Sequence, residues 1–553
     1  MERGSWPIAS AMGKMNLLSY KEVSDGEIKG WVKEEIYHLL PRHFFKDPIS
    51  AIHGMNGEVL RESRLRWAAI FSLPNQQRIF LKRDRTKGWF ECLKYLILPS
   101  KARKEWFIAH QLQKRNLAIP RPLGWIERVH RGTVQESYYL SEAIGSGVSF
   151  IEDHAKLGDP LFLVELAKTV KKVHRAGLFH RDLHAGNFLW DGETFFLTDL
   201  HSAKIVKALS LSHRIWNLSL LFHSLRSFWT QEEQSKFIDI YFEEEPSHLQ
   251  KKEGILQEIH AWMDRLQKKQ WRSRTKRCLR ESTEFSVKRE AGICYYHRRD
   301  YPLEVIRKRV GEHHRMVLEK SSGLVKSSPE VTVSILENGG GKVSVKSHRP
   351  SAFWDSFKEH FRRSRGMRAW IGGNGLKVRG IPSLRPLALM ENRDWSGLKE
   401  SSFMMEVSEV HQELDRYILH SLGDFQEKRG FVTAFAKWLS QYHKKNLYHR
   451  DMKTCNIVVS KVSDSWDFHL LDLEDVRLDK KVSSRELLKT FLQLNTSTPK
   501  IVTTADRFRF LDEYLRLNPI VKDRKDFLRR LIEESKRREL VYVSPEGVVV
   551  EKL

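Results

Sequence analysis

Two stretches of this sequence carry the same chemically useful residues in the same order. The first is His180-Arg-Asp-Leu-His-Ala-Gly-Asn187, followed by Phe195-Phe-Leu-Thr-Asp199. The second is His449-Arg-Asp-Met-Lys-Thr-Cys-Asn456, followed by His469-Leu-Leu-Asp472. Phosphoryl transfer asks for these residue types. One Asp in each, Asp182 or Asp451, orients an attacking hydroxyl and accepts its proton, while an Asn and a second Asp hold a divalent metal on the phosphates. Asn187 with Asp199, and Asn456 with Asp472, fill that role, and their oxygens suit Mg²⁺ with ATP completing the shell. An upstream Lys on a strand should neutralise phosphate charge, positioned by a Glu on the neighbouring helix. Lys82 and Glu105 fit this in the first copy; Lys346 fits in the second, where the matching helix position is Ala369. Glu142 and Glu406, aligned at the end of a later strand, join the nucleotide-binding set, as does Lys453. For Lys453 and its counterpart His184 two readings stand: a cation near the transferring phosphoryl group, or a bridge across the catalytic loop.

The elements that must position these residues also occur twice. Arg78-Ile-Phe-Leu-Lys82 reads like Lys342-Val-Ser-Val-Lys346, an offset of 264 residues. The same offset sets Trp106 on Trp370, Arg121-Pro-Leu123 on Arg385-Pro-Leu387 and Glu142 on Glu406. At the His-Arg-Asp motifs the offset has grown by five, the mark of a duplication with a loop insertion. Alternation predicts strands at Trp67–Ser72 and Gln77–Lys82, and at Val331–Glu337 and Lys342–Lys346, the latter pair joined by an Asn338–Gly341 hairpin. Helices are expected over Ser100–Lys114 and Ser364–Val378, then strands at Tyr138–Glu142 and Phe403–Glu406. Leu163, Leu166, Val170 and Val173 recur at helical spacing, as do Phe431, Phe435, Trp438 and Tyr442; these stripes predict two buried helix faces, ending at Gly177 and Asn446. A strand-rich half precedes a helical half in each copy.

The chain has 553 residues, 41% of them hydrophobic, which is globular composition and suits two domains. Its formal net charge of +25 points to anionic partners: nucleotide phosphates, an anionic membrane surface or nucleic acid. No nucleic-acid recognition motif accompanies the charge, so that partner is not expected. Basic runs at Gln267–Arg280, Lys358–Arg368 and Lys522–Arg538 read either as anion-binding patches or as solvated helix faces. Cys92, Cys278, Cys294 and Cys455 are scattered, without metal-ligand spacing, which favours free thiols in a reducing compartment. Met1–Tyr20 shows no secretory pattern, and no apolar stretch reaches membrane-spanning length. A cytoplasmic protein is expected, with peripheral attachment to the inner membrane left open.

These motifs resemble the protein-kinase-like superfamily, and within it the lipopolysaccharide core (Kdo/heptose) kinase family. The closer likeness lies in the His-Arg-Asp-Leu-His motif, in Ser100-Lys-Ala-Arg-Lys-Glu-Trp106 leading to Ile119-Pro-Arg-Pro-Leu123, and in Ala369-Trp370 leading to Arg379-Gly-Ile-Pro382. Leu494-Asn495 before Asp506-Arg-Phe-Arg-Phe-Leu-Asp-Glu-Tyr514 extends it, so the resemblance runs from about residue 30 to 540. It implies an α+β fold of two tandem kinase-like domains, 25–270 and 271–553, each with a strand-rich N-lobe and a helical C-lobe. It implies transfer of the ATP γ-phosphoryl group to a sugar hydroxyl of the lipopolysaccharide core or a lipid A precursor. A kinase acting on protein or a small molecule is the alternative, with the Ala369 copy as a pseudokinase scaffold. Two features depart from protein kinases. No GxGxxG loop precedes either Lys, since Trp67–Gln77 lacks glycine and Gly339–Gly341 sits at a hairpin tip, and Asp-Phe-Gly is altered to Asp199-Leu-His201 and Asp472-Leu-Glu474.

Overall fold

The structure is a computed structural model that describes residues 19–145, 159–337, 341–350, 362–395, 397–407, 411–544 and 547–552. Residues 338–340 of the expected Asn338–Gly341 hairpin tip and the start of the Lys358–Arg368 basic run lie outside the described residues. The chain divides into two compact units, Met1–Gln267 and Lys268–Leu553.

In the first unit, seven antiparallel strands form one sheet: β1 (Tyr20–Asp25), β2 (Ile28–Lys33), β3 (Glu58–Glu62), β4 (Arg66–Ser72), β5 (Arg78–Arg85), β6 (Pro122–His130) and β7 (Thr133–Glu142), in the order β1-β2-β6-β7-β5-β4-β3. The second unit repeats it with β8 (Phe285–Glu290), β9 (Ile293–Arg298), β10 (Leu324–Ser327), β11 (Val331–Glu337), β12 (Lys342–His348), β13 (Pro386–Asp394) and β14 (Gly397–Val407), in the order β8-β9-β13-β14-β12-β11-β10. Even the register agrees. Lys82 lies opposite Ala68 and Tyr139, and Lys346 opposite Val333 and Phe403. The duplication seen in the sequence is a duplication of topology.

Each sheet receives one helix beside its Lys strand: α1 (Lys101–Gln113) in the first unit and α3 (Arg365–Val378) in the second. Both start at a serine whose hydroxyl accepts the N–H three residues on, Ser100 from Arg103 at 3.2 Å and Ser364 from Met367 at 2.9 Å. Trp106 and Trp370 anchor them, each fully buried. The apolar stripes form α2 (Pro160–Arg175) and α4 (Phe425–Lys444), and all eight stripe residues are buried in the helical cores. Burying each such side chain contributes about 1.5–3 kcal/mol before entropy is counted. The residues after them, Gly177 and Asn446, sit at φ +78° and +57°, as a left-handed helix end requires.

Alternation leaves part of both sheets unread, and β14 begins at Gly397, well before the expected Phe403. Strand β7 begins at Thr133, five residues before the expected start, because Glu136 is buried on it within an arginine cluster: Arg85 at 2.8 Å, Arg128 at 3.6 Å and Arg83 at 3.7 Å. The edge hairpins β1–β2 and β8–β9 were not anticipated; their apolar alternation is short and they pair with β6 and β13 only in the folded sheet.

Candidate active site

Lys82 projects from the middle of β5 into a cleft of about 400 Å³ between the sheet and the helical half. The wall of this cleft includes Lys82, Glu105, Glu142, Asp182, His184, Asn187 and Asp199. The Lys82 ammonium donates to Glu105 Oε2 at 3.1 Å and to Asp199 Oδ1. Burial disfavours the charged ammonium, but Glu105 and Asp199 outweigh it and hold its pKa above the ordinary lysine value. Burial likewise opposes ionisation of Asp199, yet Lys82 and His201, whose Nδ1 lies 2.6 Å from Asp199 Oδ1, keep its carboxyl well below the usual range. Glu105 is the more deeply buried of the two acids, and burial raises its carboxyl. Its second oxygen accepts the Leu200 N–H at 3.2 Å, which ties α1 to the segment after Asp199.

The His-Arg-Asp histidines act as struts in both units. His180 Nδ1 accepts the Asp182 N–H at 3.2 Å, so its Nε2 carries the proton and donates to the Asp199 carbonyl at 3.2 Å. His449 does the same for Asp451 and Asp472, at 3.3 and 2.9 Å. Burial pushes His180 down to about 4 and lowers His449 as well, so both imidazoles are neutral near pH 7. Asn187 donates its amide to the Asp182 carbonyl at 2.8 Å, and Asn456 to the Asp451 carbonyl at 2.9 Å. With the nitrogen committed, the amide oxygen is the atom left to accept. Beside the Asp199 carboxylate it makes a hard oxygen pair that fits a divalent cation. Glu105, Asp199 and His201 also bring one ligating atom each within 4.8 Å of one another, but the Lys82 ammonium already serves two of the three.

In the second unit the helix position aligned with Glu105 is Ala369, as expected, yet Lys346 still meets a second carboxylate. Lys346 donates to Asp472 Oδ1 at 2.7 Å and lies 2.6 Å from Glu474 Oε1. Glu474 stands where the first unit has His201, two residues after the Asp. Ala369 is buried on α3 as its alignment with Glu105 requires. Asp451 is held by Gln493 at 3.1 Å, Lys453 at 3.2 Å and Asn456 at 3.2 Å. Asp182, by contrast, is exposed, and no hydrogen bond to its carboxylate is present among the described residues.

The wall of the second cleft, about 870 Å³, includes Lys346 and Asp472 but neither Asp451 nor Asn456. Glu142 lines the first cleft, whereas Glu406 is engaged by Arg385 at 2.8 Å and the second cleft presents Met405 and Val407 instead. The hairpin that reaches the first cleft is β3–β4, one strand earlier than the Trp67–Gln77 segment; it too lacks glycine and contributes Arg61 and Arg66 to the wall. An apolar cavity of the second unit, about 330 Å³ among Phe431, Phe435, Phe491 and Leu531, includes neither Lys346 nor Asp472 in its lining.

Sequence reasoning missed Glu474, Asn217 and Gln493. Asn217 donates to the His180 carbonyl at 2.6 Å from the helix Leu211–Ser224, and Gln493 to the Arg450 carbonyl at 3.0 Å from the helix Ser484–Asn495. Both lie outside any motif. A shared position could have been found: Ser224 and Ser497 each accept the backbone N–H of a catalytic-loop residue, Ala185 at 2.9 Å and Thr454 at 3.0 Å. The basic run Gln267–Arg280 is partly consumed by the fold, since Arg379 stacks on Trp271 and Asp479 pairs with both Arg272 and Arg379.

A family model described as "Lipopolysaccharide kinase (Kdo/WaaP) family" matches residues 51–241 and 348–514, more than half of the chain. Lipopolysaccharide core heptose(I) kinase WaaP of Pseudomonas aeruginosa is 28% identical over 242 residues, covering 40% of this chain and 88% of that protein. Its namesake from Escherichia coli K12 is 26% identical over 219 residues, covering 36% and 82%. A solved structure titled "WaaP in complex with acyl carrier protein" aligns at 21% identity with a TM-score of 0.32, covering 43% of this chain and 96% of that one.

Proposed function

Because the chain belongs to the lipopolysaccharide kinase (Kdo/WaaP) family, we propose that it transfers the γ-phosphoryl group of ATP to a sugar hydroxyl, Kdo or heptose, of the lipopolysaccharide inner core. The observation that carries this reading is Lys82 set between Glu105 and Asp199 in a cleft whose wall also bears Asp182 and Asn187. Lys82 places its charge against the nucleotide phosphates, and Glu105 fixes the ammonium. Asp182, exposed at the cleft and unencumbered, accepts the proton of the acceptor hydroxyl. Asp199 and Asn187 would hold Mg²⁺, whose charge would neutralise the phosphates. Arg61 and Arg66 stand where a glycine-rich loop would supply backbone amides, and offer side-chain cations in their place. Asp451, Asn456 and Asp472 are the corresponding set in the second unit.

The acceptor sits in a membrane, and the enzyme meets it as a peripheral protein at the cytoplasmic face. No helix among the described residues is long and apolar enough to cross a membrane. The helix Gly88–Ile97 supports surface attachment: Trp89, Leu93, Leu96 and Ile97 are 65%, 47%, 55% and 89% exposed and share one face, with Lys87 and Lys94 beside them.

Purified protein, γ-labelled ATP and lipid A–core should give labelled glycolipid, and Asp182→Ala should cut transfer by about a hundredfold or more. Undiminished transfer would remove the first unit from the chemistry. Label on protein or on an aminoglycoside, with none on glycolipid, would replace the acceptor class.

A further inference from the structure

We propose that Glu474 takes over the duty of the absent helix carboxylate and makes the second unit a nucleoside triphosphate site whose lysine is set independently of its helix. The two units solve one electrostatic problem with opposite placements. In the first, the acid is on α1 (Glu105) and the residue two after the Asp is His201; in the second, α3 carries Ala369 and the residue two after the Asp is Glu474. Either way the half-buried lysine meets two carboxylates: Glu105 and Asp199, or Glu474 and Asp472. Glu474 is buried and reaches Lys346 at 2.6 Å, a charge-assisted contact of the shorter kind.

The backbone is built to allow the exchange. Asp199 occupies the left-handed region at φ +59°, whereas Asp472 sits at φ −81°, so the two turns aim their following side chains differently. Helix α3 also carries Gly372, Gly373 and Gly375 where α1 has Ile108, Ala109 and Gln111. A Cβ on Gly372 would stand 2.4 Å from the Leu473 carbonyl oxygen, so the glycine is what lets α3 lie directly against the turn bearing Glu474. The close packing and the acid on the turn belong to one arrangement.

Two consequences follow for a bound nucleotide. In the first unit, sliding α1 away would take Glu105 from Lys82. In the second, the acid rides on the same short segment as Asp472, so helix displacement does not by itself undo the pair. Glu474 also bears part of the load of Lys346, which leaves Asp472 freer to face a cation; without it, Lys346 would lean on Asp472 alone and compete with the metal.

The inference rests on the kinase reading of the fold, not on the identity of the acceptor, and its test reads binding rather than transfer. Full-length protein carrying Lys82→Ala, to silence the first cleft, is titrated with a fluorescent ATP analogue at a series of Mg²⁺ concentrations. Binding that Lys346→Ala abolishes is expected. Glu474→Gln should weaken it by about tenfold and raise the Mg²⁺ needed for half-saturation. Adding Ala369→Glu to Glu474→Gln, which returns the acid to the helix, should restore most of the affinity. Unchanged affinity and metal requirement in Glu474→Gln would overturn the proposal, as would the absence of any binding sensitive to Lys346→Ala. Should Glu474→Gln alone fail to fold, the paired variant decides: folded and binding supports relocation of the acid, folded and non-binding overturns it. Failure to label glycolipid would leave every one of these readings untouched.

Discussion

At the scale of single residues, the most informative group is one that touches no substrate. His180 links the amide of the proposed base to the carbonyl of the proposed metal ligand, so Asp182 and Asp199 keep a fixed separation. The equivalent bonds of His449 show that this strut came with the duplication. Replacing it by an apolar side chain of similar bulk orphans a backbone donor, at a cost of about 1–3 kcal/mol. His180→Leu should therefore lower the melting temperature of the first unit and reduce kcat more than it changes KM for ATP. A variant that melts and turns over like the parent would show that the strut is dispensable. The motif itself was legible in sequence, because its residues lie within one turn of chain. The strut's role was not: His180 and Asp199 stand nineteen positions apart and meet only through a carbonyl that no side-chain pattern reports.

At the scale of elements, the sequence located the Lys strands, the helices beside them and the buried stripes, because each writes a periodicity into the chain. It missed the early part of β7, where Glu136 breaks the apolar alternation and is made affordable by three arginines from other strands. It passed over the helix Gly88–Ile97 for a different reason. Its periodicity alone reads like that of a buried stripe, and its use becomes evident only when Leu96 and Ile97 are seen to be exposed beside Lys94. Leu96→Asp with Ile97→Asp should reduce sedimentation with vesicles containing anionic lipid while leaving the melting temperature near that of the parent, since neither side chain is buried. Vesicle binding equal to the parent's would detach this helix from the membrane.

At the scale of the whole molecule, both units bury neutral histidines. Burial, with neighbouring cations in several cases, depresses His110, His180 and His313 to about 4 and His174, His348 and His443 to about 3. An unfolded chain protonates its histidines near pH 6.5, so below that the unfolded state binds protons that the folded state refuses. Stability contributed by these groups is present above about pH 6.5 and is lost as pH falls towards 4, by up to about 1.4 kcal/mol per pH unit for each group. Glu105, Glu413 and Asp415, whose carboxyls burial raises, work in the opposite direction and are fewer. Calorimetry should thus show a lower melting temperature at pH 5 than at pH 7; an equal or higher value at pH 5 would contradict the burial of these rings. The sequence alone determined that the chain is a duplication, which residues repeat and what reaction those residue types serve, because composition, spacing and periodicity are properties of the chain in order. Only the tertiary structure decided how each lysine is held. The acid that meets Lys346 is 128 positions away on the turn after Asp472, not on the helix where Ala369 stands, and no spacing rule connects them. Charge neutralisation depends on distance through space, and a fold can meet the same electrostatic demand from either of two elements.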